Sequence, residues 1–313
     1  GHLKAERIKM ALTFKDLHWA KSIQVQHYLQ PGTLEEALEM LANFAGKARV
    51  IAGGTDVVPQ LRGRDIEVEA LVDITGIPGM NGIFQDGENI VLGGLVTHAQ
   101  VASSALIKEK AGLLSEGAGS VGSPQIRNIA TVAGNLVSGQ PAADTSIPLL
   151  ALDAIVTIAG RSGERKVPLT EFFLDTGKTV LDCTREILTR IQFRGLMENE
   201  GGCYLRLAKR KALTLPMLVL AAVVNADRGK GIINRAAIAI GPVAPVPYRA
   251  TNVEKWLKGS PISDETIAAA ANMGMQECTP RDSCLRGSCD YRQEMAKVFI
   301  KRGLTRALAQ IGS

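Results

Sequence analysis

Two glycine-bearing turns hold the residue types best suited to chemistry. In the first, "VIAGGTDVVPQLRG" (50–63), an apolar run from Val50 and Ile51 enters Ala52, Gly53, Gly54, Thr55 and Asp56. Paired glycines permit positive φ and close backbone approach, and successive N–H groups there form a nest for an anion. Thr55 could cap the segment after it and give its hydroxyl to a phosphate oxygen. Pro59 suits a first helical turn, where its missing N–H loses no partner. The same residues serve equally as a tight strand-to-helix turn with no ligand.

The second is "PQIRNIATVAGNLVSGQPAADTSIPLLALDA", 124–154. It reads as an apolar strand entering a turn at Gly134-Asn135, with Thr131 before it and Asp144 ahead of another apolar run. Two small-residue, hydroxyl-bearing loops suit an elongated ligand containing phosphate, and a diphosphate-linked dinucleotide is one. Asp144 could meet a ribose or ring donor, or it could cap the segment that begins near Thr145.

Other chemistries are missing their parts. "DTGKT" (175–179) has Phe172 where a phosphate loop needs its first glycine. No G-x-G-x-x-G follows a strand, and HExxH and GxSxG are absent. His2, His18, His27 and His98 are too scattered in sequence to read as a ligand set. Cys278, Cys284 and Cys289 lie close together but without CxxC pairs or a fourth ligand, so they read as incidental thiols.

The elements that must carry these turns emerge from patterning. A strand-like "VQHYLQP" leads to Thr33 and Glu36, spaced as a capping box for "LEEALEMLANFA", and then to the strands "ARVIA" and "EALVDIT" with a loop between them. From "NIVLGGLVTHAQVASS" the order becomes strand, turn and helix, with Thr97 as a cap and the chain broadly helical to about residue 123. "LPMLVLAAVV" (215–224) has the length of a strand or a core helix, and "YRQEMAKVFIKRGLTRALAQ" reads as an amphipathic helix. Units of 23–80, 81–196 and 200–310 result, the last opening at Gly201-Gly202.

Length and composition agree. The 313 residues are enough for two or three compact units. The 36 basic residues against 31 acidic ones are scattered rather than clustered, which argues against nucleic acid as a partner. No apolar run reaches the ~18 residues of a membrane span. "GHLKAERIKMALTF" has no apolar h-region, so a cytoplasmic chain with reduced thiols is expected, with Gly1-His2 as an expression remnant and Met10 as the natural start.

Together "VIAGGTDVVPQLRG", "GSPQIRNIATVAGNLVSGQPAADTSIPLLALDA" and "DSCLRGSCDYRQEMAKVFIKRGL" resemble the FAD-binding (medium) subunit of the molybdenum hydroxylases, the xanthine dehydrogenase and carbon monoxide dehydrogenase flavoprotein family. The resemblance runs from about residue 23 to 310. It implies an α+β chain: a PCMH-type (vanillyl-alcohol-oxidase-like) FAD-binding domain in two subdomains, then a C-terminal domain of a small antiparallel sheet plus helices. It also implies noncovalent FAD, in keeping with the absence of His or Cys beside the first motif. Carried over by motif, Val50, Ile51, Ala52, Gly53, Gly54, Thr55 and Asp56 would hold the diphosphate. Thr131, Gly134, Asn135 and Asp144 would complete the second side, with Asp144 facing the adenosine or ribitol end.

Two positions depart from the family pattern. Ala133 replaces a glycine and needs negative φ. Arg206 stands where the family has a lysine near the flavin, so the charge survives the swap; the alternative reading is a strand-edge surface charge. The implied partners are an iron–sulfur subunit with [2Fe–2S] centres and a molybdenum-cofactor subunit, with NAD or another compound as electron acceptor. The rival readings are a self-sufficient PCMH-type flavin oxidase, for whose substrate cavity the short C-terminal unit leaves little material, and a non-redox nucleotide-binding assembly protein.

Overall fold

The computed structural model describes residues 25–210, 214–283 and 287–312. The expectations for the first residues of the chain, and for Cys284, lie outside these. Near the start, β1 (His27–Leu29), α1 (Leu34–Asn43), β2 (Ala48–Ile51), α2 (Val57–Gly63) and β3 (Ala70–Asp73) build a parallel sheet in the order β1-β3-β2. Thr33 Oγ1 accepts from Glu36 N at 3.2 Å, as a capping box requires. The Glu36 carboxylate instead accepts from Gly32 N at 2.7 Å, one residue further back than the box places it. Ala37, Leu38 and Leu41 form the buried stripe of α1. The loop expected between β2 and β3 contains α2, with Pro59 in its first turn.

A second, antiparallel sheet in the order β4-β5-β10-β6-β7 is formed by β4 (Ile83–Asp86), β5 (Asn89–Gly93), β6 (Ile155–Gly160), β7 (Gly163–Pro168) and β10 (Ile187–Arg194); β8 (Phe173–Asp175) and β9 (Lys178–Thr179) pair separately. Between β5 and β6 lie six short helices: α3 (His98–Ser103), α4 (Ala105–Lys110), α5 (Gly112–Ser120), α6 (Pro124–Ile129), α7 (Val132–Val137) and α8 (Ser146–Ala151). Thr97 and Gln100 make the full reciprocal capping box of α3. The single helical stretch expected up to residue 123 is three helices. Ser104 ends α3 in extended backbone and caps α4, its hydroxyl accepting from Ile107 N at 3.4 Å.

The apolar strand expected before Gly134 is also corrected, because residues 124–129 are helical. Ser123 Oγ accepts from Ile126 N at 3.3 Å and Pro124 opens the first turn. That start signal outweighs the strand preference of Ile126 and Ile129.

The C-terminal part is an antiparallel sheet in the order β11-β12-β13-β14, made of β11 (Glu200–Leu207), β12 (Leu218–Asp227), β13 (Ile232–Gly241) and β14 (Tyr248–Arg249), and covered by α9 (Thr251–Leu257), α10 (Asp264–Glu277) and α11 (Cys289–Gln310). "LVLAAVV" is apolar throughout because both faces of β12 are covered. Val219, Ala221 and Val223 join the core that holds Leu114 and Ile147, while Leu218, Leu220, Ala222 and Val224 join the core of Ala271, Ile300 and Leu304. Alternation along one central strand thus welds the last sheet to the helices of the preceding one. The fold is α+β, with a small antiparallel sheet plus helices at the end. No helix among the described residues is long and apolar enough to cross a membrane.

Candidate functional site

The parallel sheet delivers the first glycine turn to the edge of a cavity of about 300 Å³. Gly54 takes φ +70°, which favours glycine. Gly53 has another duty: a Cβ there would lie 2.0 Å from Ile129 O, so the turn after β2 and the corner between α6 and α7 are in backbone contact. The two motifs therefore meet, and they meet through glycine. N–H groups of Gly53, Gly54, Thr55 and Asp56 donate no hydrogen bond among the described residues. They form the unengaged nest that the anion reading requires. Asp56, not Thr55, occupies the N-cap of α2, and it makes no side-chain cap bond, which corrects the capping role expected of Thr55.

The second motif supplies the facing wall. Thr131 Oγ1 accepts from Gly134 N at 3.0 Å and so starts α7. Ala133 lies inside α7, in helical backbone that a methyl side chain tolerates. The corner is pinned by His98 N donating to Ala130 O at 3.1 Å and Val132 N donating to Val96 O at 2.9 Å. Asn135 Oδ1 accepts from the fully buried Thr145 hydroxyl at 2.6 Å.

Val50, Ala52, Gly53, Gly54, Thr55, Asp56, Thr131, Gly134 and Asn135 all line this one cavity. Ile51 does not line it and is buried, at 7% exposure. Asp144 and Arg206 do not line it. Asp144 is buried behind the wall, where Oδ1 accepts from Tyr204 Oη at 2.7 Å and from Arg206 Nε at 2.9 Å. Arg206 is thus a part-buried, paired cation rather than a surface charge, and it also donates to Thr214 O at 2.6 Å. Burial pushes the Asp144 carboxyl upward, against the pull of the Tyr204 hydroxyl and the Arg206 guanidinium.

Among the further lining residues are Arg49, His98 and Cys183, which lie outside the two motifs, and Gln60, which lies inside the first motif but was not singled out there. Arg49 makes no ion pair or hydrogen bond among the described residues, and its charge is felt at Asp56 and Cys183. Burial pushes the Cys183 thiol up, with Arg49 opposing, so this sulfur in the wall is a poor nucleophile. Cys183 reaches β2 itself through its carbonyl, which accepts from Val50 N at 3.2 Å. Cys183, Cys203, Cys278 and Cys289 are free thiols.

His98 is only 1% exposed, and burial, reinforced by the Arg127 charge, pushes its imidazole down to about 4. A histidine depressed in the folded state adds stability above its unfolded pKa of about 6.5 and loses it as pH falls towards the folded value. The apoprotein is therefore expected to lose on the order of 3 kcal/mol between pH 6.5 and 4 from this residue. Urea midpoints of the wild type and His98→Phe across that range check it, since the variant should lack this component. A local signal for burial existed: with Thr97 as cap, His98 and the buried Val101 are three apart and share the inward face of α3.

An α+β chain with an unengaged amide nest, a free arginine and a facing wall of small residues defines a nucleotide-cofactor protein. Residues 21–193 match the family model "FAD binding domain in molybdopterin dehydrogenase", and 203–307 match "CO dehydrogenase flavoprotein C-terminal domain". The carbon monoxide dehydrogenase medium chain of Hydrogenophaga pseudoflava is 30% identical over 283 residues, spanning 90% of this chain and 97% of that one. The xanthine dehydrogenase FAD-binding subunit of Escherichia coli is also 30% identical, over 288 residues, 91% of this chain and 97% of its own. A solved structure of the Hydrogenophaga pseudoflava enzyme lacking the Mo-pyranopterin moiety superposes with a TM-score of 0.87 at 30% identity, covering 92% of this chain and 99% of that one. The chain belongs to the FAD-binding subunits of the molybdenum hydroxylase family, whose members are oxidoreductase subunits.

Proposed function

We propose that this chain is the electron-exit subunit of a multi-subunit molybdenum hydroxylase, held to an iron–sulfur subunit and a molybdenum-cofactor subunit and passing electrons to NAD or another acceptor. The observation that carries the reading is the backbone contact at Gly53, which turns two separate motifs into one lined cavity with a free amide nest. Arg49 and the amides of Gly53, Gly54, Thr55 and Asp56 would neutralise and orient the FAD diphosphate. Thr131, Gly134 and Asn135 would close over it from α7. Asp144 and Arg206 would act from behind, through the Thr145 to Asn135 hydrogen bond. FAD, once bound, takes up electrons singly and gives them up as a pair. This chain's own contribution is positioning and electrostatics, and the organic substrate would be handled on another subunit.

The visible spectrum of the purified chain, before and after acid precipitation, tests this. Yellow colour released into the supernatant is expected, because the protonated Cys183 thiol is no anchor for a covalent flavin. Colour retained in the pellet would favour the self-sufficient oxidase, and a colourless protein that takes up no added FAD would leave only the assembly-protein reading. Arg49→Gln should weaken FAD binding about ten- to a hundred-fold, the worth of one charge-assisted bond to a phosphate. Fluorescence titration of the apoprotein at two salt concentrations checks it, since the arginine's share should shrink with salt.

A further inference from the structure

The cavity wall contains polar atoms that the protein leaves without partners. His98 Nδ1 and Gln60 Oε1 are buried side-chain atoms with no hydrogen-bond partner among the described residues. Both residues line the cavity, from α3 and α2 respectively. Leaving such an atom bare costs about 1–3 kcal/mol, and folded proteins rarely leave one unless something else meets it.

We propose that His98 and Gln60 recognise a sugar hydroxyl of FAD, each making a direct hydrogen bond to it or to its neighbour on the same polyol or ribose. The inference rests on the FAD reading of this cavity. A phosphate oxygen carries no proton and cannot satisfy Gln60 Oε1, which only accepts. A hydroxyl both donates and accepts, so it satisfies Gln60 Oε1 and also His98 Nδ1 in either neutral tautomer. The imidazole is held neutral by its burial and by Arg127, which removes the alternative of an imidazolium paired with the diphosphate. Arg49 and the amides of the nest already suit that anion. The position of the ring is fixed by its backbone, because Thr97 caps the helix beneath it and the His98 amide is engaged by Ala130 O at 3.1 Å. His98 is thereby seated on the same corner that Gly53 touches.

Calorimetric titration of the full chain stripped of flavin, as wild type, His98→Phe and Gln60→Leu, with FAD, FMN and ADP tests the assignment, the thermal midpoint of each apoprotein being recorded alongside. Each substitution should weaken FAD roughly three- to ten-fold, the worth of one neutral hydrogen bond. The apoproteins should be at least as stable as wild type, because the bare polar atom has been replaced by an apolar one of similar shape. Weakening carried over to FMN places the hydroxyl on the ribitol, and weakening carried over to ADP places it on the ribose; either supports the assignment. Variants that bind FAD as wild type does overturn it while leaving the FAD site intact. Affinity and apoprotein stability falling together in both variants would also overturn it, in favour of a packing role. A wild-type chain that binds no FAD would refute the cofactor reading itself.

Discussion

Gly53→Ala is expected to abolish FAD binding and cost about 3 kcal/mol of stability, more than the same change at Gly54. The added Cβ would sit 2.0 Å from Ile129 O, 2.6 Å from Ile129 C and 3.1 Å from Ala130 N. All three are backbone atoms, so no rotamer change makes room. The opposing corner is itself tied down, by Ala130 N to Ile126 O at 2.8 Å and by the His98 and Val132 amides. Relief must come from parting the two turns, which opens the cavity on the side where the nest faces α7. At Gly54 the strain is of another kind. Its φ of +70° disfavours any side chain, yet the nearest atoms to a new Cβ are the ends of Ile51 and Val58 at 3.3 Å, which can shift. Gly54→Ala should therefore cost about 1–2 kcal/mol and retain measurable affinity. Flavin content per chain and urea midpoints of the two variants check the order. Wild-type flavin content in Gly53→Ala would sink the close-approach argument.

That order was not legible in the sequence, although both glycines were. A doubled glycine after an apolar run signals close approach without saying what approaches, and the answer here lies some 75 residues away, at Ile129. Local signals succeeded where the physics is local: Thr97 caps α3, and Pro59 lies in a first turn. They misled at 124–129, where β-branched residues outvoted Ser123-Pro124, a helix start that was there to be read. The cavity's remaining polar lining escaped for a simpler reason. His98 and Cys183 come from segments whose proximity to the motifs is a product of tertiary packing, with no spacing rule to connect them, and Gln60 stood in the first motif as an ordinary polar residue of a helix. Scattered histidines argued against a metal set, yet a single buried one can still face a ligand.

Asp144 was visible as a candidate, but its environment was not, and that environment sets the second large effect. Asp144→Ala is expected to destabilise the chain by about 3–5 kcal/mol. The side chains of Asp144 and Arg206 are 10% and 12% exposed, and removing the carboxylate leaves the Arg206 Nε and the Tyr204 hydroxyl buried without their acceptor. Burial, the largest cause of the raised Tyr204 hydroxyl, remains in the variant and keeps it protonated, so it cannot take over as a counter-charge. Asp144→Asn keeps an acceptor oxygen and the volume while losing the charge, and should cost less. The carboxylate also ties β11, which carries Tyr204 and Arg206, to the segment running through Thr145 to Asn135 on the cavity wall. FAD affinity should therefore fall in Asp144→Ala even though the residue does not line the cavity. Adding Arg206→Met to Asp144→Ala should recover part of the lost stability, because the stranded cation goes with it. Strict additivity of the two changes in denaturant unfolding would show that the pair is not coupled and would overturn the stranded-cation argument.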